Sequence, residues 1–329
     1  MVFFSIIIIG DNIKKILILC GGVSSEHDVS LKSASSVINN IDANLFKYEV
    51  VYIDYDNTWY KYKNKKKISK INNIVEYLKK FDLVFPIMHG KCGEDGKLQG
   101  MLEFFNIKFV GCKTLSSAIL MDKSLSKLFF KSIGLKQVPY VTINNNYDIK
   151  NIVSILNFPM IVKPSNGGSS IGISKCNNES ELEKGINDAL KYDSSIVIEE
   201  FIIARELEVA ILEDKDKLII SNPGEIRYDS VFYDYNTKYV NSNSYIVIPA
   251  HLDKNIIKKI KDYSKLIFNK LKLKGFSRID YFYDEQNNLI YINEVNTIPG
   301  FTDISMYPKL IENCGISYKD LIAKLINNA

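Results

Sequence analysis

The chain has 329 residues, 46% hydrophobic and 24% charged, and its 42 lysines and arginines against 38 aspartates and glutamates leave a formal net charge of +4. That length exceeds what one hydrophobic core usually organises, so two or three lobes are expected, and the composition excludes a disordered chain. The small, dispersed positive balance argues against nucleic acid as a partner.

Residues 1–12 read as an extension ahead of the first core strand. The apolar run 6–9 lacks a basic n-region and a small-residue cleavage site and is too short to span a bilayer, which leaves a membrane-contacting tail as the alternative. Ile16, Leu17, Ile18 and Leu19 make residues 14–20 a strand buried on both faces, ended by Gly21 and Gly22. The spacing of Val29, Ala34, Val37, Ile38 and Ile41 predicts a helix from Ser25 to about Asn40, and residues 48–53 a second strand. The lysine-rich stretch 61–70 reads as a solvated hairpin loop rather than a phosphate-attracting patch. A helix near 74–80, a strand at 81–87, a Gly-rich loop and a helix near 98–105 continue the alternation of a parallel sheet.

The style changes after Gly111. One long helix is predicted at 115–133, followed by strands at 158–163, 171–176 and 195–201 with a helix at 179–191, the pattern of an antiparallel sheet covered by helices. The last third reads as strands at 207–212 and 217–221, an aromatic and polar loop at 228–243, a helix at 253–273, strands at 278–284 and 289–296, and closing helices.

Two residues apart on a strand, Arg278 and Asp280 project from one face, and so do Glu294 and Asn296, so four polar groups can converge. Carboxylate and amide oxygens suit Mg²⁺, which takes few protein ligands and leaves the rest to substrate phosphates. The alternative is a solvent-facing polar stripe; Ile279, Tyr281 and Val295 on the opposite faces and the turn at Pro299-Gly300 weigh against it. Residues 163–172, Lys163-Pro164-Ser165-Asn166-Gly167-Gly168-Ser169-Ser170-Ile171-Gly172, follow a strand and let backbone N–H groups approach phosphate, with Lys163 as a point charge. The lysine precedes the glycines, so this is not a Walker A loop, and a plain hairpin turn is an equal reading. The loops His89-Gly90-Lys91-Cys92-Gly93-Glu94-Asp95-Gly96 and Gly21-Gly22-Val23-Ser24-Ser25-Glu26-His27 both follow buried strands, where an open α/β sheet binds its ligand, and could offer His89 and Glu26 to one small molecule. Glu26 could equally be a helix N-terminal carboxylate with Ser24 or Ser25 as cap. His27 and His251 read as surface residues, and the five scattered cysteines as reduced thiols without a zinc or disulfide pattern.

In this order, Gly21-Gly22-x-Ser24-x-Glu26-His27-x-Val29-Ser30, His89-Gly90-x-x-Gly93-Glu94-Asp95-Gly96, Met121-Asp122-Lys123, the 163–172 loop, Arg278-Ile279-Asp280 and Asn293-Glu294-Val295-Asn296-Thr297-x-Pro299-Gly300 resemble the D-alanine:D-alanine ligases of the ATP-grasp superfamily, from about Lys14 to the C-terminus. The resemblance implies an α/β and α+β fold of three lobes: an N-terminal parallel α/β domain (1–112), a central ATP-grasp lobe (113–199) and a C-terminal lobe (200–329), the last two clasping ATP. It implies ATP-dependent ligation of two D-alanine molecules through an acyl phosphate, in cell-wall precursor synthesis, by a cytoplasmic homodimer that has no membrane or nucleic-acid partner.

By the same resemblance, Asp280, Glu294 and Asn296 hold two Mg²⁺ ions, with Mn²⁺ as a substitute, while Lys123 and Lys163 meet the phosphates of the co-substrate ATP. Arg278 and the backbone N–H of Gly300 stabilise the tetrahedral intermediate. Glu26 meets the ammonium of the first D-alanine with His89 near its carboxylate, and Ser305 and the backbone of Met306 bind the second carboxylate. Glu199 and the backbone of Glu200 and Ile202 form the adenine hinge, and Glu206 holds the ribose. The stretch 232–239 resembles the family's ω-loop, where Lys238 and Tyr239 face substrate and Tyr239 bonds with Ser169 and Glu26; relatives forming the ester tend to lack this tyrosine, which favours an amide product. The other readings are a ligase taking D-lactate or D-serine second and a non-catalytic nucleotide-binding protein on the same fold.

Overall fold

The computed structural model describes residues 13–168, 171–228 and 244–329, which form three sheets. In the first, β1 (Lys14–Gly21) lies between β2 (Phe46–Ile53) and β5 (Leu83–Pro86), both parallel to it. β3 (Trp59–Lys63) and β4 (Lys66–Lys70) extend one edge antiparallel, giving the order β4-β3-β2-β1-β5. Residues 16–19 have no exposed surface because side chains leave the strand both ways. Ile16 and Ile18 pack with Ala34 and Val37 of α1 (His27–Asn40), while Leu17 and Leu19 pack with Leu78 of α2 (Ile74–Leu78) and Leu98 and Leu102 of α3 (Lys97–Phe104).

The lysine-rich stretch is a hairpin, as expected, with most of its residues in paired strands. Asn64 (φ 51°) and Lys65 (φ 59°) make its two-residue turn in the left-handed region that matches strand twist. All five residues of β4 are exposed, and lysines along that edge keep it from pairing with another chain.

The single helix predicted over 115–133 is two: α4 (Thr114–Met121) and α5 (Lys123–Ser132). Asp122 breaks it, because its backbone is extended (φ −87°, ψ 107°) and its carboxylate accepts from the N–H groups of Ser124 and Leu125. Helical periodicity continues across the break and conceals it from a pattern reading.

The second sheet is antiparallel, ordered β6-β9-β7-β8 from β6 (Tyr140–Ile143), β7 (Met160–Pro164), β8 (Ser174–Cys176) and β9 (Ile196–Glu200). The strand predicted from Ile171 begins only at Ser174, since Gly172 at φ 73° belongs to the turn. α6 (Ile149–Ile155) and α7 (Glu179–Ala189) cover this sheet through Ile152, Leu182 and Ile186.

The third sheet runs β13-β12-β10-β14-β15, with β11 paired to β10. Its strands are β10 (Arg205–Asp214), β11 (Lys217–Ile220), β12 (Gly224–Tyr228), β13 (Ser244–Val247), β14 (Phe276–Asp284) and β15 (Leu289–Asn296). β12 and β13 were not anticipated: they are short and become strands only by pairing with each other and with β10. One face is covered by α8 (Lys254–Lys270), capped by Asp253. The other meets α9 (Met306–Asn313) and α10 (Tyr318–Asn328), whose Leu310, Ile311, Leu321 and Ile322 also pack on Ile16, Ile18 and Phe85 of the first sheet. Phe301 sits in this shared core, with ring centroids 5.3 Å from Phe276 and 6.3 Å from Phe85. The first and third sheets therefore have one core, which brings the loops after β1 and β5 against the turn after β15.

Candidate active site

A cavity of about 600 Å³ opens between the second and third sheets. Ile161, Lys163, Glu199, Glu200 and Ile202 line it from one side; Glu206, Arg278, Asp280, Asn293 and Glu294 line it from the other. Gly167 and Gly168 also line it.

The β14–β15 hairpin does what side-chain alternation predicts. Arg278 pairs across the ladder with Asn296, and Asp280 with Glu294. A bulge follows at Asp280/Tyr281, where Tyr281 pairs with Ile292 and Asn293 is the extra residue. The bulge lets Asn293 and Glu294 both face the cavity while Ile290, Ile292 and Val295 stay in the core. Arg278 grips Asp280 with two hydrogen bonds of 2.7 Å and lies 2.8 Å from the Glu208 carboxylate on β10; Asn296 Nδ2 donates to Asp280 at 3.0 Å. Asp280 is buried, so the solvent-facing stripe is excluded. Burial opposes the guanidinium charge, but Asp280, Glu208 and Glu294 together raise Arg278 well above its usual range. Among the described residues no three His, Cys, Asp or Glu side chains converge on a metal position. The hairpin supplies two carboxylates and an amide.

On the facing sheet, Glu199 is buried between two lysines. Lys163 Nζ is 2.6 Å from one carboxylate oxygen and Lys127 contacts the other. Burial alone would raise Glu199, yet Lys127 and Lys163 pull it down to about 2. Lys127 was missed by the sequence reading. It lies one turn after Lys123 on α5, and that i, i+4 spacing was the available signal. Burial pushes the ammonium groups of both Lys123 and Lys127 below their ordinary value, with repulsion from Lys163 acting in the same direction.

Lys123 also anchors the glycine loop. Its N–H donates to Ser165 O and its Nζ to Gly167 O, at 2.9 and 2.6 Å. Asp122 accepts from the hydroxyls of Ser165 and Ser124 and from the Asn166 amide, so the break between α4 and α5 holds the root of the loop. Glu26 reaches this loop from the first sheet. A Cβ at Gly168 would stand 2.4 Å from its carboxylate and one at Gly90 2.7 Å, and Gly90 also holds a left-handed φ of 68°. Glu26 is also the N-cap residue of α1, where its N–H donates to Ser24 Oγ at 3.0 Å, so the helix N-terminal placement holds with Ser24 in the capping role, while the Glu26 side chain makes no cap hydrogen bond.

His89 is buried, and both ring nitrogens are engaged within the protein: Nδ1 with Ile298 O at 2.9 Å and Nε2 with Ser33 Oγ at 3.0 Å. A carbonyl can only accept, so Nδ1 carries the proton and Nε2 accepts from Ser33. Burial holds His89 below its usual value, against the attraction of Glu26. Glu94 accepts from Gly90 N–H at 2.8 Å and from Ile298 N–H at 2.9 Å. Burial, then repulsion from Glu26, raises its carboxyl to about 8. Beyond Gly300, Ser305 precedes α9 and shares a 2.7 Å hydrogen bond with Thr302; a Cβ at Gly300 would stand 2.9 Å from its hydroxyl. Met306 begins α9.

Glu200 turns its carboxylate to Asn157 and gives its N–H to Pro139 O at 3.0 Å; it lines the cavity together with Ile202. Ser169, Lys238, Tyr239 and the whole 232–239 stretch lie outside the described residues, as do residues 1–12. The surface reading of His251 holds, since it is exposed. That of His27 is corrected: it is 1% exposed, with Nδ1 2.6 Å from Gly22 O and Nε2 3.1 Å from Tyr52 OH. Its partners come from the loop before it and from β2, and neither contact is visible in local sequence.

The model of the D-ala D-ala ligase N-terminus matches residues 15–112, and that of the D-ala D-ala ligase C-terminus matches residues 129–327. The D-alanine–D-alanine ligase of Clostridium novyi is 42% identical, over 96% of this chain and 98% of its own length, and that of Caldicellulosiruptor bescii 41% identical, over 96% and 94%. Among solved structures, the VanG D-Ala:D-Ser ligase of Enterococcus faecalis is similar with a TM-score of 0.86 at 37% identity, covering 95% of this chain and 98% of that one. The D-alanine-D-alanine ligase of Coxiella burnetii is similar with a TM-score of 0.81 at 29% identity, covering 96% and 93%. A cleft between two antiparallel sheets, closed by a glycine loop and an acidic hairpin, thus coincides with matches along nearly the whole chain, and the chain belongs to the D-alanine–D-alanine ligase family, with its ATP-grasp fold.

Proposed function

We propose that this chain joins two D-alanine molecules at the expense of ATP, through an acyl phosphate, to make the D-alanyl-D-alanine of cell-wall precursors. The observation that carries the reading is the pairing of Arg278 with Asp280 on a hairpin that also presents Glu294 to the cleft, with Asn296 bonded to Asp280 beside it. We divide the chain into an N-terminal lobe (1–112), a central lobe (113–199) and a C-terminal lobe (200–329), with ATP between the last two.

Phosphoryl transfer is mainly positioning and charge neutralisation, and the cleft has cations on one wall and oxygen donors on the other. Lys123 and Lys163 would meet phosphate oxygens, and the backbone of residues 167–168, with Ser169, would cover them. Glu199, the backbone of Glu200 and Ile202, and Glu206 would hold adenosine. The oxygen donors of Asp280, Glu294 and Asn296 fit Mg²⁺, or Mn²⁺, in type and number, because such ions keep most positions for phosphate and water. Two such ions, when bound, would neutralise charge on the transferring phosphoryl group. Arg278 and the Gly300 N–H would stabilise the tetrahedral oxyanion formed when the second amine attacks.

Glu26 would receive the ammonium of the first D-alanine. His89 has both nitrogens engaged, so its part beside that carboxylate would be to orient the 298–301 segment as well as to present a ring edge. Ser305 and the Met306 N–H, at the start of α9, would bind the second carboxylate, where a helix N-terminus favours an anion. Tyr239 and Lys238 would close the site and exclude water from the acyl phosphate. No helix among the described residues is long and apolar enough to cross a membrane. A cytoplasmic homodimer is the compartment and assembly this reading implies.

Purified protein given ATP, Mg²⁺ and D-alanine should release ADP and phosphate with formation of the dipeptide; no phosphate above the D-alanine-free background would sink the proposal. The likeness to a D-Ala:D-Ser ligase makes the second substrate the point to test. Run with D-serine or D-lactate as competing acceptor, the reaction should still give chiefly D-alanyl-D-alanine.

A further inference from the structure

The loop that ends in Glu26 is held by a side chain the proposed reaction does not use. His27 turns back so that Nδ1 meets the Gly22 carbonyl at 2.6 Å, closing residues 22–27 into a ring. The neighbouring contacts are all main-chain or serine: Gly22 N–H to Ile53 O at 2.7 Å, Gly21 N–H to Ser30 Oγ at 2.8 Å, and Glu26 N–H to Ser24 Oγ at 3.0 Å. His27 is the one imidazole in this set, and its second nitrogen lies 3.1 Å from the hydroxyl of Tyr52 on β2. Tyr52 in turn stacks on Tyr62 at 5.3 Å and lies 3.1 Å from the Asp54 carboxylate, whose other oxygen binds Lys67. The imidazole also stacks on Tyr55 at 4.0 Å and packs against Gly21.

The Gly22 carbonyl only accepts, so Nδ1 is a donor, and Nε2 meets the Tyr52 hydroxyl at 3.1 Å. The Tyr52 hydroxyl donates to Asp54 at 3.1 Å, and Asp54 is held in turn by Lys67 and by the Tyr55 N–H, so the hydroxyl that meets His27 is itself fixed in place. We propose that His27 and Tyr52 are a positioning pair: together they set the place of the adjoining Glu26 carboxylate against Gly90 and Gly168, and hence the geometry with which the ammonium of the first amino acid is received. Neither touches substrate. The inference rests on the reading of Glu26 given above and goes beyond it by assigning what holds Glu26 in place.

The test compares His27→Leu, His27→Asn and Tyr52→Phe, with Glu26→Gln as reference, in steady-state assays that resolve KM for the first D-alanine, the second D-alanine and ATP. His27→Leu should raise the first-site KM roughly five- to tenfold, the loss of one or two buried hydrogen bonds, with ATP and second-site KM unchanged. His27→Asn keeps a donor at the same bond distance from Cβ as Nδ1 and should recover most of the effect. Tyr52→Phe retains both ring stacks, removes only the hydroxyl, and should raise the same KM about threefold; it keeps the test open if His27→Leu does not fold. A rise in ATP KM or a fall in kcat with first-site KM unchanged, or His27→Asn as impaired as His27→Leu, overturns the proposal. If Glu26→Gln itself leaves the first-site KM unchanged, the assignment of Glu26 fails; if it raises that KM and neither His27→Leu nor Tyr52→Phe does, only the positioning pair fails.

Discussion

His89 and Ile298, 209 residues apart, are joined by a 2.9 Å hydrogen bond from the ring to the main-chain carbonyl. The same Ile298 gives its N–H to Glu94, and Ser33 accepts from Phe301 N–H at 3.3 Å. Three side chains of the first lobe thereby hold the short segment that carries Gly300. His89→Leu leaves a buried carbonyl and the Ser33 hydroxyl proton without their partner, at about 1–3 kcal/mol each. Urea unfolding should show that loss at pH 7.5. Because the folded state keeps His89 below its ordinary value, its proton is bound preferentially by the unfolded chain. The stability it contributes is present above about pH 6.5 and is lost as pH falls below it, so wild type and variant should converge toward pH 5.

Glu94 titrates with the opposite consequence. Its folded value of about 8 exceeds the ordinary carboxylate range, so the protonated form stabilises the fold fully below about pH 4.3, and that contribution is lost as pH rises through about 8. Glu94→Gln cannot ionise. The unfolding midpoint of wild type should therefore decline relative to this variant between pH 6 and pH 9, and parallel curves over that range would refute the buried carboxyl.

Glu199 neutralises two buried lysines, so Glu199→Gln leaves Lys127 and Lys163 facing each other without a counter-charge. Removing one partner of such a group typically costs about 3–5 kcal/mol. Saturating ATP should restore part of that loss, since phosphate supplies negative charge to Lys163 and preferential binding to the native state stabilises it. Thermal melts with and without ATP measure both effects. The wild-type contribution is present above about pH 4.3 and disappears as acid approaches pH 2.

Asp280→Asn removes the charge that Arg278 grips and one carboxylate of the proposed ion site. Phosphate release should fall at least about a hundredfold, the scale of losing a principal electrostatic group. The variant should also need several times more Mg²⁺ for half-maximal rate. Activity within a factor of about two of wild type at any Mg²⁺ concentration would place the metal elsewhere.

Asp122→Ala removes a helix cap and the tie to Ser165 and Asn166 at once. About 1–2 kcal/mol of stability should go with the cap. ATP KM should rise several-fold while both D-alanine KM values stay put, because the glycine loop is rooted there.

Much of this site was legible in residue order because its chemistry is local. Strand alternation placed Arg278 with Asp280 and Glu294 with Asn296. The buried run 16–19 similarly announced a central strand. Tertiary structure alone decided which charges meet. Lys127 becomes the partner of Glu199 only when α5 packs beside β9, His27 is buried only when β2 lies alongside its loop, and Glu94 reaches Ile298 only through the core shared by the first and third sheets. Periodicity reports which face of an element is apolar; it carries no information about which distant element that face will meet, and burial, partner and charge state all follow from that meeting.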